Sequence, residues 1–220
     1  MTIDAVLFDN DGTLIDFDAT FEPATKLVLE DLATNDMPLA DLATSVGFDL
    51  NSQSILPGSV LIAGSLYDIV DHIAELVEVP NRGAFFHRID RLYREASLET
   101  FFFIRRPRCY ILFPSTTLFR SHLEALGWTR YFDFIAGCDS GFGAKPEAGM
   151  VTAFCNAMNV QATNTVMVGD SAHDCSAGNA AGAKTDAIEQ MADVTGWPVQ
   201  PDRTISAIEE LPAMLRAMSA

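Results

Sequence analysis

Positive charge is scarce in this chain: 14 Lys plus Arg stand against 30 Asp plus Glu, a net charge of −16. A surface of that sign repels a phosphate backbone, so nucleic acid is not an expected partner. Cysteine is sparse too. The four present, Cys109, Cys138, Cys155 and Cys175, form neither a CxxC pair nor a metal-ligand spacing. They read as reduced thiols in a cytoplasmic protein. Long apolar runs are also missing. The nearest approach, ILPGSVLIAGSLYDIV, is broken by Pro57, two glycines and Asp68, which excludes a bilayer span there. The N-terminal MTIDAVLFDND carries acids where a signal peptide needs a basic start and a longer apolar run.

What remains is an ordinary globular composition, 49% apolar and 20% charged over 220 residues. That length allows one large domain, or a core with a smaller insert, without a disulfide or metal staple. Residues 3–8, IDAVLF, read as a buried strand. Between about residues 19 and 96 the pattern turns helical (FEPATKLVLEDLA, SLYDIVDHIAELVEV, AFFHRIDRLYREA), and no strand is expected among them. From residue 131 strands and helices alternate: FDFIAG, PEAGMVTAFCNAM, NTVMVGD, HDCSAGNAAGA, KTDAI and a last helix near SAIEELPAMLRAM. Alternation of this kind predicts an α/β fold, a Rossmann-like three-layer parallel sheet covered by helices on both faces. The first strand must join the later ones, so the helical stretch is an insertion into that core. The expected division is a core of residues 1–16 plus 99–220 and an inserted α-helical unit of residues 17–98.

Residues 99–121, ETFFFIRRPRCYILFPSTTLFRS, should supply the second core strand but fit poorly. FFFI and CYILF are separated by RRPR, and Pro107 cannot donate to a central ladder. Residues 101–121 hold four of the 14 basic residues, Arg105, Arg106, Arg108 and Arg120, and no acid. Their wording resembles the translation of a sequencing-library adapter, which suggests native sequence overwritten here. An unusual strand with a basic loop is the plainer alternative.

The chemistry gathers in three short runs. In DNDGTL, Asp9 and Asp11 are two residues apart, so both project to one side of an extended chain, and Gly12 permits a sharp turn after them. Adjacent carboxylates disturb each other's ionisation unless a cation sits between them, and hard oxygen ligands suit Mg²⁺. A helix cap or surface turn is an equal reading of DxDG alone. In VMVGDSAHD a second apolar strand ends in Asp170, with Asp174 four residues on. Carboxyl ends of parallel strands line one crevice, so Asp170 can face Asp9. Asp174 can reach the same ion, or simply favour the helix start through the dipole. In GFGAKPE, Lys145 stands in a glycine-rich loop before a helix expected to open at Pro146. A cation there can neutralise a bound phosphate, although most such lysines are solvated.

FDNDGTLID, AKPE and VMVGDSAHD resemble, in order and spacing, motifs one, three and four of the haloacid dehalogenase superfamily, with the phosphoglycolate-phosphatase-like branch the nearest. The resemblance covers roughly residues 1–16 and 122–220. It implies a hydrolase acting on a small phosphorylated metabolite, phosphoglycolate among the candidates. Asp9 would be the nucleophile that forms an aspartyl-phosphate. Asp11 would protonate the leaving oxygen and then activate water. The Mg²⁺ ligands would be Asp9, Asp170 and the backbone carbonyl of Asp11, with Asp174 in support, and Lys145 would steady nucleophile and phosphate. Such a weak nucleophile needs metal and cationic help.

The second motif places a Ser or Thr after the second core strand. Ser115, Thr116 and Thr117 are the candidates, the first two taken as phosphate-binding, although the family spacing would put the hydroxyl near Leu112. The insert resembles the family's α-helical cap, which selects substrate. Asp16, Phe17 and Asp18 near its hinge, and His173, His72 and His87, have ordinary loop or surface roles as the simpler reading. Asp11 argues against a true dehalogenase. A phosphosugar mutase of the same fold, a phosphoacceptor signalling domain, and an impaired or non-enzymatic phosphate-binding protein are the rivals. The expected protein is cytoplasmic, without a membrane partner, and a monomer or homodimer.

Overall fold

The computed structural model describes residues 2–77, 79–97, 111–112, 123–124, 127–137, 140–188 and 193–218. By internal contacts the chain divides into two compact units, Met1–Asp16 with Phe102–Ala220, and Phe17–Phe101.

The first unit is built on strand β1 (Ala5–Phe8). Val6, Leu7 and Phe8 are all buried, the continuous apolar run of a strand covered on both faces. The second unit holds helices α1 (Phe17–Leu32), α2 (Leu39–Val46), α3 (Val60–Ala63), α4 (Leu66–Leu76) and α5 (Arg82–Ala96). Between α2 and α3 lies an antiparallel ribbon of β2 (Phe48–Asp49) and β3 (Ser54–Ile55). This ribbon corrects the expectation of a purely helical stretch. Its two-residue strands are too short to show a period-2 pattern. The Asp49 carboxylate holds its turn, accepting from Asn51 N (2.8 Å) and Ser52 Oγ (2.9 Å). Helices α1 and α5 pack together, with Thr25 Oγ1 and Tyr93 Oη 3.2 Å apart in their buried interface. His72 Nε2 lies 2.9 Å from the Ser45 carbonyl, which ties α4 to α2, whereas His87 is exposed.

The chain then returns to the first unit with β4 (Ile111–Leu112), α6 (Gly149–Met158), β5 (Thr165–Gly169), α7 (Ala172–Ala181), β6 (Lys184–Ile188), β7 (Arg203–Ile205) and α8 (Leu211–Met218). The sheet is parallel throughout, in the order β4-β1-β5-β6-β7. Alternation along the central strands builds two layers of core. Val6, Phe8, Val166 and Val168 join Ile205 and Leu211 on one face, while Leu7 and Met167 pack with Met150, Phe154 and Ala177 on the other. Two further expectations need correction. Among the described residues FDFIAG forms no extended strand, only a single β-bridge position at Ile135, and it sends Phe132 and Ile135 to one layer and Phe134 and Ala136 to the other. Helix α6 starts at Gly149, not Pro146, because a turn closed by Glu147 N to Ala144 O (2.9 Å) precedes it.

This strand order sets the position of the site. β1 has β4 on one side and β5 on the other, so chain connections leave it in opposite directions. In a doubly wound sheet of this order the crevice opens at the carboxyl ends of the two strands flanking that switch, here β1 and β5.

Candidate active site

Asp9 directly follows β1, and its N–H donates to Val168 O at 2.8 Å, extending the β1–β5 pairing by one residue. The chain then turns tightly. The Asn10 carbonyl accepts from the N–H groups of Thr13 (3.1 Å), Leu14 (2.8 Å) and Ile15 (3.0 Å). Gly12 has φ +76°, and a β-carbon there would stand 2.1 Å from Asp170 Oδ2. Glycine thus serves twice, supplying the left-handed backbone and leaving room for a carboxylate.

Asp170 follows β5 in the same way. Thr13 Oγ1, fully buried, donates to its Oδ1 at 3.4 Å. One turn on, Asp174 closes the start of α7 as half of a capping box. Its Oδ2 accepts from Ser171 N (3.1 Å) and Ser171 Oγ (2.6 Å), and its own N–H donates back to Ser171 Oγ (3.3 Å). Its other oxygen accepts from Lys145 Nζ at 2.6 Å. Lys145 also donates to Asp9 Oδ1. The lysine is therefore no solvated surface group but a cation clamped between two buried carboxylates, while Asp174 serves both the helix start and this clamp.

Oxygens of Asp9, Asp170 and Asp174 all lie within 4.8 Å of one another. Burial pushes the Asp9 carboxyl well above its ordinary value, Asp174 and then Asp170 and Asp11 add to this, and Lys145 opposes it. Burial and Asp174 likewise push Asp170 up to about 7 against Lys145. Burial pulls on the Lys145 ammonium as well, but Asp174 and Asp9 more than offset it and hold the pKa above that of ordinary lysine. One lysine thus faces more negative charge than it can balance. Three hard oxygen donors with surplus charge, seated where Gly12 leaves space, fit a divalent cation.

The Asp11 side chain is not one of that trio; its Oδ1 accepts from Asn10 Nδ2 at 2.7 Å. Ser115, Thr116 and Thr117 lie outside the described residues. Leu112, where the family spacing puts a hydroxyl, is paired with Phe8, the residue before Asp9. His173 is exposed on α7. The sequence reading did not single out Thr13, Asn10 or Ser171. Ser171 carried a signal, since a Ser three residues before an acid marks a capping box.

Residues 3–182 match the family described as haloacid dehalogenase-like hydrolase. The chain belongs to that family. Among curated relatives of this haloacid dehalogenase-like hydrolase, a phosphoglycolate phosphatase (plasmid) of Cupriavidus necator is 29% identical over 223 residues, covering 96% of this chain and 92% of that one. A phosphoglycolate phosphatase of Neisseria gonorrhoeae is 27% identical over 227 residues, covering 95% and 92%. Among solved structures, a 2-haloacid dehalogenase of Pseudomonas syringae pv. Tomato superposes with a TM-score of 0.67 at 18% identity, over 100% of both chains. That last likeness speaks for the fold of the hydrolase alone.

Proposed function

We propose that this hydrolase is a Mg²⁺-dependent phosphatase that cleaves a small phosphomonoester, phosphoglycolate or a close analogue, through an aspartyl-phosphate on Asp9. One observation carries the reading: three carboxylates, from Asp9, Asp170 and Asp174, converge at the switch point of the sheet with Lys145 bonded to the first and third. The phosphoglycolate phosphatases among the relatives support the substrate class.

Asp9, Asp170 and the Asp11 carbonyl would hold the ion, with Asp174 behind them, and it would neutralise charge between nucleophile and phosphate. The remaining work falls to side chains. Lys145 favours the anionic form of Asp9 against its burial, orients it, and offers a cation to the phosphoryl oxygens. An Asp9 oxygen attacks phosphorus in line, and the bond from phosphorus to the leaving oxygen breaks. That oxygen takes its proton from Asp11, which becomes a carboxylate. Asp11 then accepts a proton from water as the water oxygen attacks phosphorus, the bond to Asp9 breaks and inorganic phosphate departs.

The test is turnover of phosphoglycolate and p-nitrophenyl phosphate with Mg²⁺ or with EDTA, for the natural chain and Asp9→Asn. Turnover should need the metal and fall by about a thousandfold or more in the variant, the loss expected of a nucleophile. Persistence of activity in Asp9→Asn, or indifference to EDTA, rules the reading out.

A further inference from the structure

Asn10 stands between the two motif-one acids, and its side chain is 1% exposed. Nδ2 donates to Asp11 Oδ1 at 2.7 Å. The amide's other end is unusual: Asn10 Oδ1 is buried and has no hydrogen-bond partner among the described residues. A buried acceptor left unsatisfied is unfavourable. A leucine of similar shape would avoid that penalty, so packing alone does not account for an amide here. Turning the amide over gives no relief, because it would set a carbonyl oxygen against the Asp11 carboxylate. The N–H group is what the asparagine contributes.

We propose that Asn10 is a positioning residue for Asp11, fixing which carboxylate oxygen delivers the proton to the leaving group. The inference rests on the phosphatase reading above and deepens it. An amide N–H can only donate, so Asp11 Oδ1 acts as its acceptor, and because the carbonyl-type oxygen is the stronger acceptor this favours the transferable proton on Oδ2. As the phosphorus–oxygen bond breaks, its electron pair goes to the leaving oxygen, which takes that proton. The negative charge left on Asp11 then meets a donor already in place, with no reorganisation needed. In the second half-reaction the same carboxylate recovers a proton from the attacking water. A weakly basic leaving group such as p-nitrophenolate needs little of this help; phenolate or an alkoxide needs much more.

The experiment compares kcat for p-nitrophenyl phosphate and phenyl phosphate, with saturating Mg²⁺, in the natural chain, Asn10→Leu, Asn10→Ala and Asp11→Asn. Both Asn10 variants lack the donor but differ in volume, so the second carries the comparison should leucine fail to pack. Each should lose activity on both substrates, with the loss on phenyl phosphate greater by about tenfold, part of the full effect of a general acid. Asn10→Leu should melt no lower than the natural chain, because it removes the unsatisfied acceptor. Equal losses on the two substrates, or none, would overturn the role of Asn10. If Asp11→Asn itself leaves the ratio between substrates unchanged, the acid assignment fails and the inference falls with it. A shifted ratio in Asp11→Asn alone sinks only the part given to Asn10.

Discussion

At the scale of single residues, the site is a balance between one lysine and several buried acids. Removing Lys145 leaves Asp9 and Asp174 without their shared cation. Breaking a buried ion pair in this way costs about 3 kcal/mol. Lys145→Ala should therefore lower the midpoint of denaturation in EDTA at mildly alkaline pH, and Mg²⁺ should restore part of the loss; equal midpoints with and without the metal would count against the shared site. Gly12→Ala tests the space rather than the charge. Its methyl group would overlap Asp170 Oδ2, at 2.1 Å, on a backbone of φ +76°. Strain of about 1 kcal/mol should appear in thermal melting, together with a higher Mg²⁺ concentration for half-maximal turnover. The convergence of Asp9, Lys145, Asp170 and Asp174 was legible because each sits in a short run whose spacing already fixes its direction. The contacts of Asn10 and Thr13 were not. They depend on how one turn folds back on itself, which periodicity does not encode.

Two helices of this protein open with the same device, and they make a natural pair. Ser65 caps α4 with Asp68, and Ser171 caps α7 with Asp174. Either Ser→Ala change should cost about 1 kcal/mol in stability. Only Ser171→Ala should slow turnover as well, because the Asp174 carboxylate it releases also holds Lys145. Calorimetry beside kinetics would separate the two effects. Strands β6 and β7 offer a second comparison. Arg203 Nε and Nη2 donate to the two oxygens of fully buried Asp186 at 3.0 and 3.1 Å. Burial raises the Asp186 carboxyl even so, with Arg203 opposing. Ionising it therefore works against the fold, a cost absent in acid and present in full once the pH exceeds the folded pKa. Arg203→Met enlarges that cost, by about 3 kcal/mol at neutral pH. The deficit should shrink as pH falls and Asp186 takes up its proton; a deficit constant with pH in denaturant titrations would contradict the pairing. The apolar strands β1 and β5 could be read from residue type, and β6, KTDAI, only from its place in the alternation. β7, with three residues, and the β2–β3 ribbon offered too few positions for any period to emerge.

For the whole molecule, the net charge of −16 sets the field that an anionic substrate must cross. Added salt screens that field over about 10 Å. At saturating Mg²⁺, kcat/KM for a phosphomonoester should rise by about threefold between low and physiological ionic strength, with kcat nearly constant. A fall instead would mean that a local positive funnel dominates approach. The parallel sheet was foreseeable from the alternation of patterns, since a first strand of that apolar character must join the later ones. Residues 99–121 were hard to read because Pro107 and a basic run interrupt the apolar stretch that carries β4, and Ser115 and Thr116 lie outside the described residues.

β1 lies inside the sheet, yet it is made before both strands that flank it. Its neighbours arrive only with Ile111 on one side and Thr165 on the other. Until they emerge a nascent chain carries an unpaired apolar ribbon, open to misassociation or to a chaperone's grip. Asp9, at its end, can meet Asp170 only after β5 has been made.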